Sequence, residues 1–154
     1  MEVLNTKLLD IIEKHFTGKK YKDLSLAVIT SQNDKNFADV MIRTFRNANI
    51  TCWYSENLLP GQDWEMQTKE ECRKAKYVLV LISKKANKEE SEYQLFVKWA
   101  LHIQGTMPYG AVKTIPIKVQ DCETPGHMTE MFSVEPNEKE WQKLIAVWEK
   151  YQEA

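Results

Sequence analysis

The sequence predicts a three-layer α/β domain in which helices cover both faces of a central parallel sheet. Three observations lead there. From residue 24 onward, short β-branched and aliphatic runs alternate with longer segments of helical periodicity, the order expected of strand–helix–strand units. One run, "YVLVLIS" at 77–83, is continuously apolar in its middle, as a parallel strand buried on both faces must be. At 154 residues the chain is also about one domain long, and a domain of that size buries roughly 68–70% of its unfolded surface.

The elements follow in chain order. Residues 3–16 place Leu4, Leu8, Ile11 and Ile12 on one helical face, and Gly18 offers a stop. "LSLAVIT" at 24–30 reads as the first strand. Asn33 and Asp34 can cap the next helix, which carries Phe37, Val40, Met41 and Phe45 on one side. "ITCWY" at 50–54 is the second strand. The helix expected over 64–75 has only a weak apolar stripe of Trp64, Cys72 and Ala75. After the third strand and the loop "SKKANKEES", a helix over 91–104 carries Tyr93, Phe96, Val97, Ala100, Leu101 and Ile103. "KTIPIKV" at 113–119 is the fourth strand, and Pro116, which donates no hydrogen bond, belongs near an end or an edge of it. "MFSVE" at 131–135 is a short fifth. The last helix, over 138–151, bears Trp141, Leu144, Ile145 and Trp148 at i, i+3, i+4 and i+7. The expected order is flavodoxin-like, 2-1-3-4-5, with an N-terminal helix (1–20) added to an α/β domain (21–154).

Composition narrows the function. A formal net charge of −1 gives no basic field for nucleic acid and no acidic tail. The cation run Lys84, Lys85, Lys88 leads straight into Glu89, Glu90 and Glu92, the pattern of a solvated loop. The longest strictly apolar run, "VLVLI", is far below the roughly 20 residues that span a bilayer. The N-terminus has no apolar signal core, so a cytoplasmic, non-membrane protein is expected. Cys52, Cys72 and Cys122 are odd in number and unpaired in spacing, which argues against a disulfide framework. His15, His102 and His127 lack metal-ligand spacing, so no metal and no bound cofactor are expected.

One stretch resists a purely structural reading. "YSENLLPGQDW" at 54–64 is long for a loop, since most connections run about 4–6 residues, and it holds Leu58 and Leu59 beside a Pro60-Gly61 turn. Pro60 fixes φ and Gly61 permits a turn closed to other residues, so the leucines sit on a stiffened support. Burial of Leu58 and Trp64 beneath their own domain is the bland alternative. The loop follows the second strand, on the carboxyl edge where such sheets place their functional loops.

Taken together, three segments resemble the Toll/interleukin-receptor (TIR) domain over about residues 23–151. "LSLAVITSQNDKNFADVMIRTF" is similar to the family's first box. "WYSENLLPGQDW" is similar to the second, although Ser55-Glu56 replaces a basic-acidic pair. "EWQKLIAVW" is similar to the third, with Trp141 matching its tryptophan and Glu140 standing where phenylalanine is usual. Within the family, "ESEYQLFVKWALHI" followed by "IPIKV", together with "LLPG", looks most like the myeloid-differentiation adaptor of Toll receptors. That adaptor carries a death domain, whereas here only a helix of about 20 residues precedes the TIR-like part, so a stand-alone TIR protein is expected.

The resemblance implies two roles. The first is signal transduction in innate immunity by homotypic assembly with other TIR domains, as a homo-oligomer or filament. The interface then includes Ser55, Glu56, Asn57, Leu58, Leu59, Pro60, Gly61 and Gln62. The alternative is an enzyme that cleaves NAD or cyclises its ADP-ribose part, using a glutamate on the helix after the third strand, four residues after a tryptophan. Here the glutamate position falls on Phe96 or Val97 and the tryptophan position on Glu92 or Tyr93. A carboxylate there would stabilise an oxocarbenium-like cation, which phenylalanine cannot do. Glu89, Glu90 and Glu92 lie about one turn too early. The expectation is therefore an assembly module with no catalytic residue. A phosphoacceptor receiver domain shares the element order but needs an aspartate at the end of the third strand, where Ser83 stands.

Overall fold

In a computed structural model of the chain, residues 5–54, 63–88, 92–108, 112–128 and 133–153 are described. Four strands, β1 (Ser25–Ile29), β2 (Thr51–Tyr54), β3 (Tyr77–Ile82) and β4 (Thr114–Lys118), form a parallel sheet in the order β2-β1-β3-β4. Every residue of β3 is buried, as its unbroken apolar run requires. Among the described residues the expected fifth strand is a single parallel bridge, Val134 beside Ile117; Met131 and Phe132 lie outside them. Val134 N–H donates to the Pro116 carbonyl at 2.8 Å, and Lys118 N–H donates to the Val134 carbonyl at 3.0 Å. A residue's N and carbonyl project to the same edge of a strand, so the missing Pro116 donor faces this outer edge. It has no N–H to carry the ladder one step earlier. Pro116 is thus at an edge position.

Alternation along the strands sends neighbouring side chains to opposite layers. Leu26, Val28, Leu79 and Leu81 join a core beneath α1 (Thr6–Phe16), α2 (Lys35–Asn47) and α5 (Glu138–Glu153). Ala27, Ile29, Val78, Val80 and Ile82 join a smaller core beneath α3 (Trp64–Lys74) and α4 (Glu92–Gly105). Three layers result, with the sheet in the middle.

The first helix is set by its cap and its stripe. The Asn5 side chain accepts from Leu8 N–H at 3.0 Å and donates to the Val119 carbonyl at 3.1 Å, fixing the N-terminus of α1 to the end of the fourth strand. Gly18, with φ of 82°, turns the chain just past the helix. The buried stripe is Leu8, Leu9, Ile12 and Phe16, with Ile11 only partly buried, so the face is rotated from the one expected; Leu4 lies outside the described residues. The Phe16 ring meets Phe45 of α2 at 5.0 Å and Trp148 of α5 at 5.9 Å. Trp141, Leu144, Ile145 and Trp148 are buried as their spacing predicts.

The third helix departs more. Thr68 and Cys72 are its buried residues, whereas Trp64 is 37% exposed. Its polar surface is laced by exposed pairs such as Lys69–Glu65 at 3.0 Å and Arg73–Glu70 at 2.8 Å. Among the described residues, no helix is long and apolar enough to cross a membrane.

Candidate functional site

The parallel strands all deliver their carboxyl ends to one edge, and the polar residues just beyond them meet there. Ser31 follows β1 and Ser83 follows β3; each is at most 2% exposed. Both hydroxyls donate to Oδ2 of Asp34, at 3.2 Å from Ser31 and 2.6 Å from Ser83. Ser83 Oγ in turn accepts from Ala86 N–H at 3.1 Å. Asp34 does not cap α2 with its side chain, as its position suggested; its carboxylate turns inward and ties the end of β1 to the end of β3. A buried carboxylate must keep such partners, because an unsatisfied charge costs far more than a lost bond. At the end of β4, Lys118 is paired with Glu135 at 2.9 Å. Both buried charges on this edge are therefore held by protein groups. Thr30 and Trp53 stand half-buried beside them, and Trp53 packs against the smaller core.

The start of α4 forms the adjoining wall. Tyr93 is buried and its hydroxyl donates to the Leu81 carbonyl at 2.6 Å, anchoring the helix to β3. Val97 is fully buried. Phe96 is 8% exposed, and its ring meets Trp64 edge-to-face at a centroid distance of 5.2 Å. Such T-shaped pairs contribute about 0.5–1.5 kcal/mol beyond area burial. Both candidate positions for a catalytic carboxylate are thus occupied by packed apolar side chains. Glu92 opens α4 one turn earlier, while Glu89 and Glu90 lie outside the described residues.

An aromatic strip that the sequence reading passed over continues along α4. Trp99 stacks on His102 at 5.4 Å, and the Lys69 ammonium of α3 sits 4.8 Å from the Trp99 ring centre. The signal was present: Phe96, Trp99 and His102 recur every third residue, which aligns them on one helical face.

The loop residues Ser55, Glu56, Asn57, Leu58, Leu59, Pro60, Gly61 and Gln62 lie outside the described residues, but both feet of the loop are fixed. On one side the Tyr54 hydroxyl donates to Asp39 at 2.9 Å and the Arg46 guanidinium lies 5.7 Å from its ring. On the other, Asp63 caps α3 by accepting from Met66 N–H at 3.0 Å. One foot continues directly from Trp53, and the other leads into Trp64, whose ring meets Phe96.

This geometry can be set beside known proteins. A family model described as TIR domain matches residues 27–148, most of the chain and all four strands except the start of β1. The chain belongs to the TIR-domain family. Five chains among solved structures match it. One is the TIR domain of the Toll-related receptor TRR-2 from Hydra magnipapillata, at 14% identity and a TM-score of 0.65, over 80% of this chain and 97% of that one. At that identity the likeness is one of fold. No curated protein matches. Helix α1 precedes the matched span and packs in the larger core.

Proposed function

We propose that this TIR domain is a cytosolic signalling or scaffold module that works by assembling with other TIR domains through the loop 55–62. One observation carries the reading. Where an NAD-cleaving TIR enzyme would hold its glutamate, Phe96 packs its ring against Trp64. A hydrocarbon there neither binds ribose hydroxyls nor stabilises an oxocarbenium-like cation. The buried carboxylate on this edge, Asp34, is engaged by two serine hydroxyls. What the edge offers instead is a loop with fixed feet, bearing Leu58 and Leu59, which supply about 1.5–3 kcal/mol each if fully buried against a neighbour.

Two measurements test this. Incubation of concentrated protein with NAD, followed by chromatography, should release no nicotinamide; robust release would overturn the assembly reading and point to Glu89, Glu90 or Glu92 as the acid. The double variant Pro60→Ala, Leu59→Asp should remain folded by circular dichroism and lose self-association in sedimentation. Normal assembly by that variant would remove the loop from the interface.

A further inference from the structure

The first two helices run side by side from the carboxyl edge to the basal edge. Asn5 ties the start of α1 to Val119, just past β4, and α2 follows β1. Near their ends each presents a stripe to the other. On α1 it is Glu13, Phe16 and Thr17, at i, i+3 and i+4. On α2 it is Val40, Arg43, Thr44 and Asn47, at i, i+3, i+4 and i+7. The Phe16 ring reaches inward to Phe45, and the chain then turns away at Gly18, whose φ is 82°. A cavity of about 300 Å³ is left between the stripes. Small-molecule sites run from roughly that size to 1,000 Å³. A Cβ at Gly18 would meet nothing within 4 Å, so the turn leaves the cavity open on its side.

The two charged groups of this cavity have no partners. Among the described residues, neither the Glu13 carboxylate nor the Arg43 guanidinium makes a hydrogen bond or ion pair, with each other or with a neighbour. The groups that could neutralise them are engaged elsewhere. Lys14 pairs with Glu138, Lys19 with Glu149, and Lys20 donates to the Asn47 carbonyl at 2.8 Å. Asp39, one turn before Arg43, accepts from the Tyr54 hydroxyl. Thr17 and Thr44 direct their hydroxyl protons to the carbonyls of Glu13 and Val40, at 2.6 and 3.1 Å, which leaves both oxygens as acceptors. Both helices end here, and the carbonyl end of a helix favours a cation. Between the charges the lining is hydrocarbon, from Phe16 and partly buried Val40.

We infer that this cavity binds a small zwitterion, an amino acid with an apolar side chain. Glu13 and the two helix ends receive its ammonium, and Arg43 donates to its carboxylate from a planar fork. Phe16 and Val40 receive its hydrocarbon. A plain cation would leave Arg43 unmatched, and a plain anion would meet Glu13 and two carbonyl termini. The site lies at the opposite end of the domain from the loop 55–62, so it stands apart from the assembly reading.

Leucine is the probe, titrated into the full chain and followed by amide nitrogen–proton NMR, which also reports folding. The amides of Gly18, Thr44 and Asn47 should shift saturably. Glu13→Gln and Arg43→Gln alter exposed side chains, so each should keep the wild-type spectrum elsewhere and weaken leucine about tenfold. Two half-molecules separate the charges. Isoamylamine should bind more weakly than leucine and ignore Arg43→Gln, whereas 4-methylpentanoate should bind more weakly still and ignore Glu13→Gln. Glycine, which lacks the hydrocarbon, should also bind more weakly. An absence of saturable shifts with leucine would overturn the inference. So would leucine binding that neither variant weakens, or a half-molecule or glycine that binds as tightly as leucine.

Discussion

The two helical layers of this TIR domain are built to different standards. Beneath α1, α2 and α5, Phe16, Phe45, Tyr77, Trp141 and Trp148 form a continuous aromatic seam with centroid distances of 5.0–6.4 Å. Among the described residues the indole N–H groups of Trp141 and Trp148 meet no hydrogen-bond acceptor, and burial of the rings outweighs a cost of about 1–3 kcal/mol each. Beneath α3 and α4 the core is thinner, and α3 buries only Thr68 and Cys72. Of its aromatic groups, Tyr93 and Phe96 are buried, whereas Trp64 is exposed and Trp99 half-buried. The first layer carries the larger aromatic core, and the second leaves more of its aromatic surface in water.

The largest test of that contrast removes a ring from the seam. Trp148→Ala should lose about 3–5 kcal/mol in denaturant unfolding, the usual range for a buried aromatic truncated to alanine. Phe16→Ala should cost a similar amount, although Phe16 belongs to the helix that precedes the TIR match. Because the two rings touch, the double variant should depart from additivity by about 0.5–3 kcal/mol. Strict additivity would mean that α1 rests on the domain without sharing its core.

The second test moves to the other layer. Phe96→Glu should unfold about 1–3 kcal/mol more easily, since it sets a carboxylate against the Trp64 ring with no partner in place. It should also release no nicotinamide from NAD. Turnover by this variant would show that the cleft still admits a dinucleotide and that Phe96 alone silences it.

The same contrast explains what the sequence reveals and what it hides. β3 and α5 are legible because an unbroken apolar run and a strict i, i+3, i+4, i+7 pattern each admit one reading. The α1 face is harder, because Leu8, Leu9, Ile11 and Ile12 are all apolar and only contact with Phe45 and Trp148 decides which turn inward. Asp34 reads as a helix cap because capping is a local habit. Of its two serine partners, Ser31 is local but Ser83 is 49 residues away, and no local pattern announces it. The edge pair Trp64–Phe96 is likewise a product of topology. The carboxyl edge was legible as a place, and the side chains that meet on it were not.

A third test compares the layers by how readily they open. Burial pushes the thiols of Cys52 and Cys72 up to about 12 in both cases, so neither reacts without exposure. Cys52 lies under the aromatic layer and Cys72 under the thinner one. Under native conditions at mildly alkaline pH, an alkylating reagent should label half-buried Cys122 first, Cys72 next and Cys52 last. Cys72 is fully buried while Cys52 is 7% exposed, so static exposure predicts the opposite order for that pair. Mass-spectrometric time courses decide between them. Cys52 reacting before Cys72 would mean that the thinner layer is not the one that opens.

The smallest effect lies on the surface of the stable layer. Lys14 donates to Glu138 at 2.9 Å and His15 lies 3.2 Å from the same oxygen, joining α1 to the start of α5. The Lys14 hydrogen bond, then its charge, holds the Glu138 carboxyl below its ordinary value of 4.5, with His15 adding less. A depressed folded value means that the pair stabilises the fold above the unfolded value near 4.5, and that this contribution fades as pH falls through the lower folded value. The Glu138 side chain is 44% exposed, so water and salt screen the pair and the stability at stake is slight. Carboxylate NMR titration should place Glu138 below 4.5 in the wild type and return it toward 4.5 in Lys14→Ala, with the melting temperature almost unmoved. A large loss of stability in Lys14→Ala would mean that the junction of α1 with α5 depends on this ion pair more than on the seam of rings beneath it.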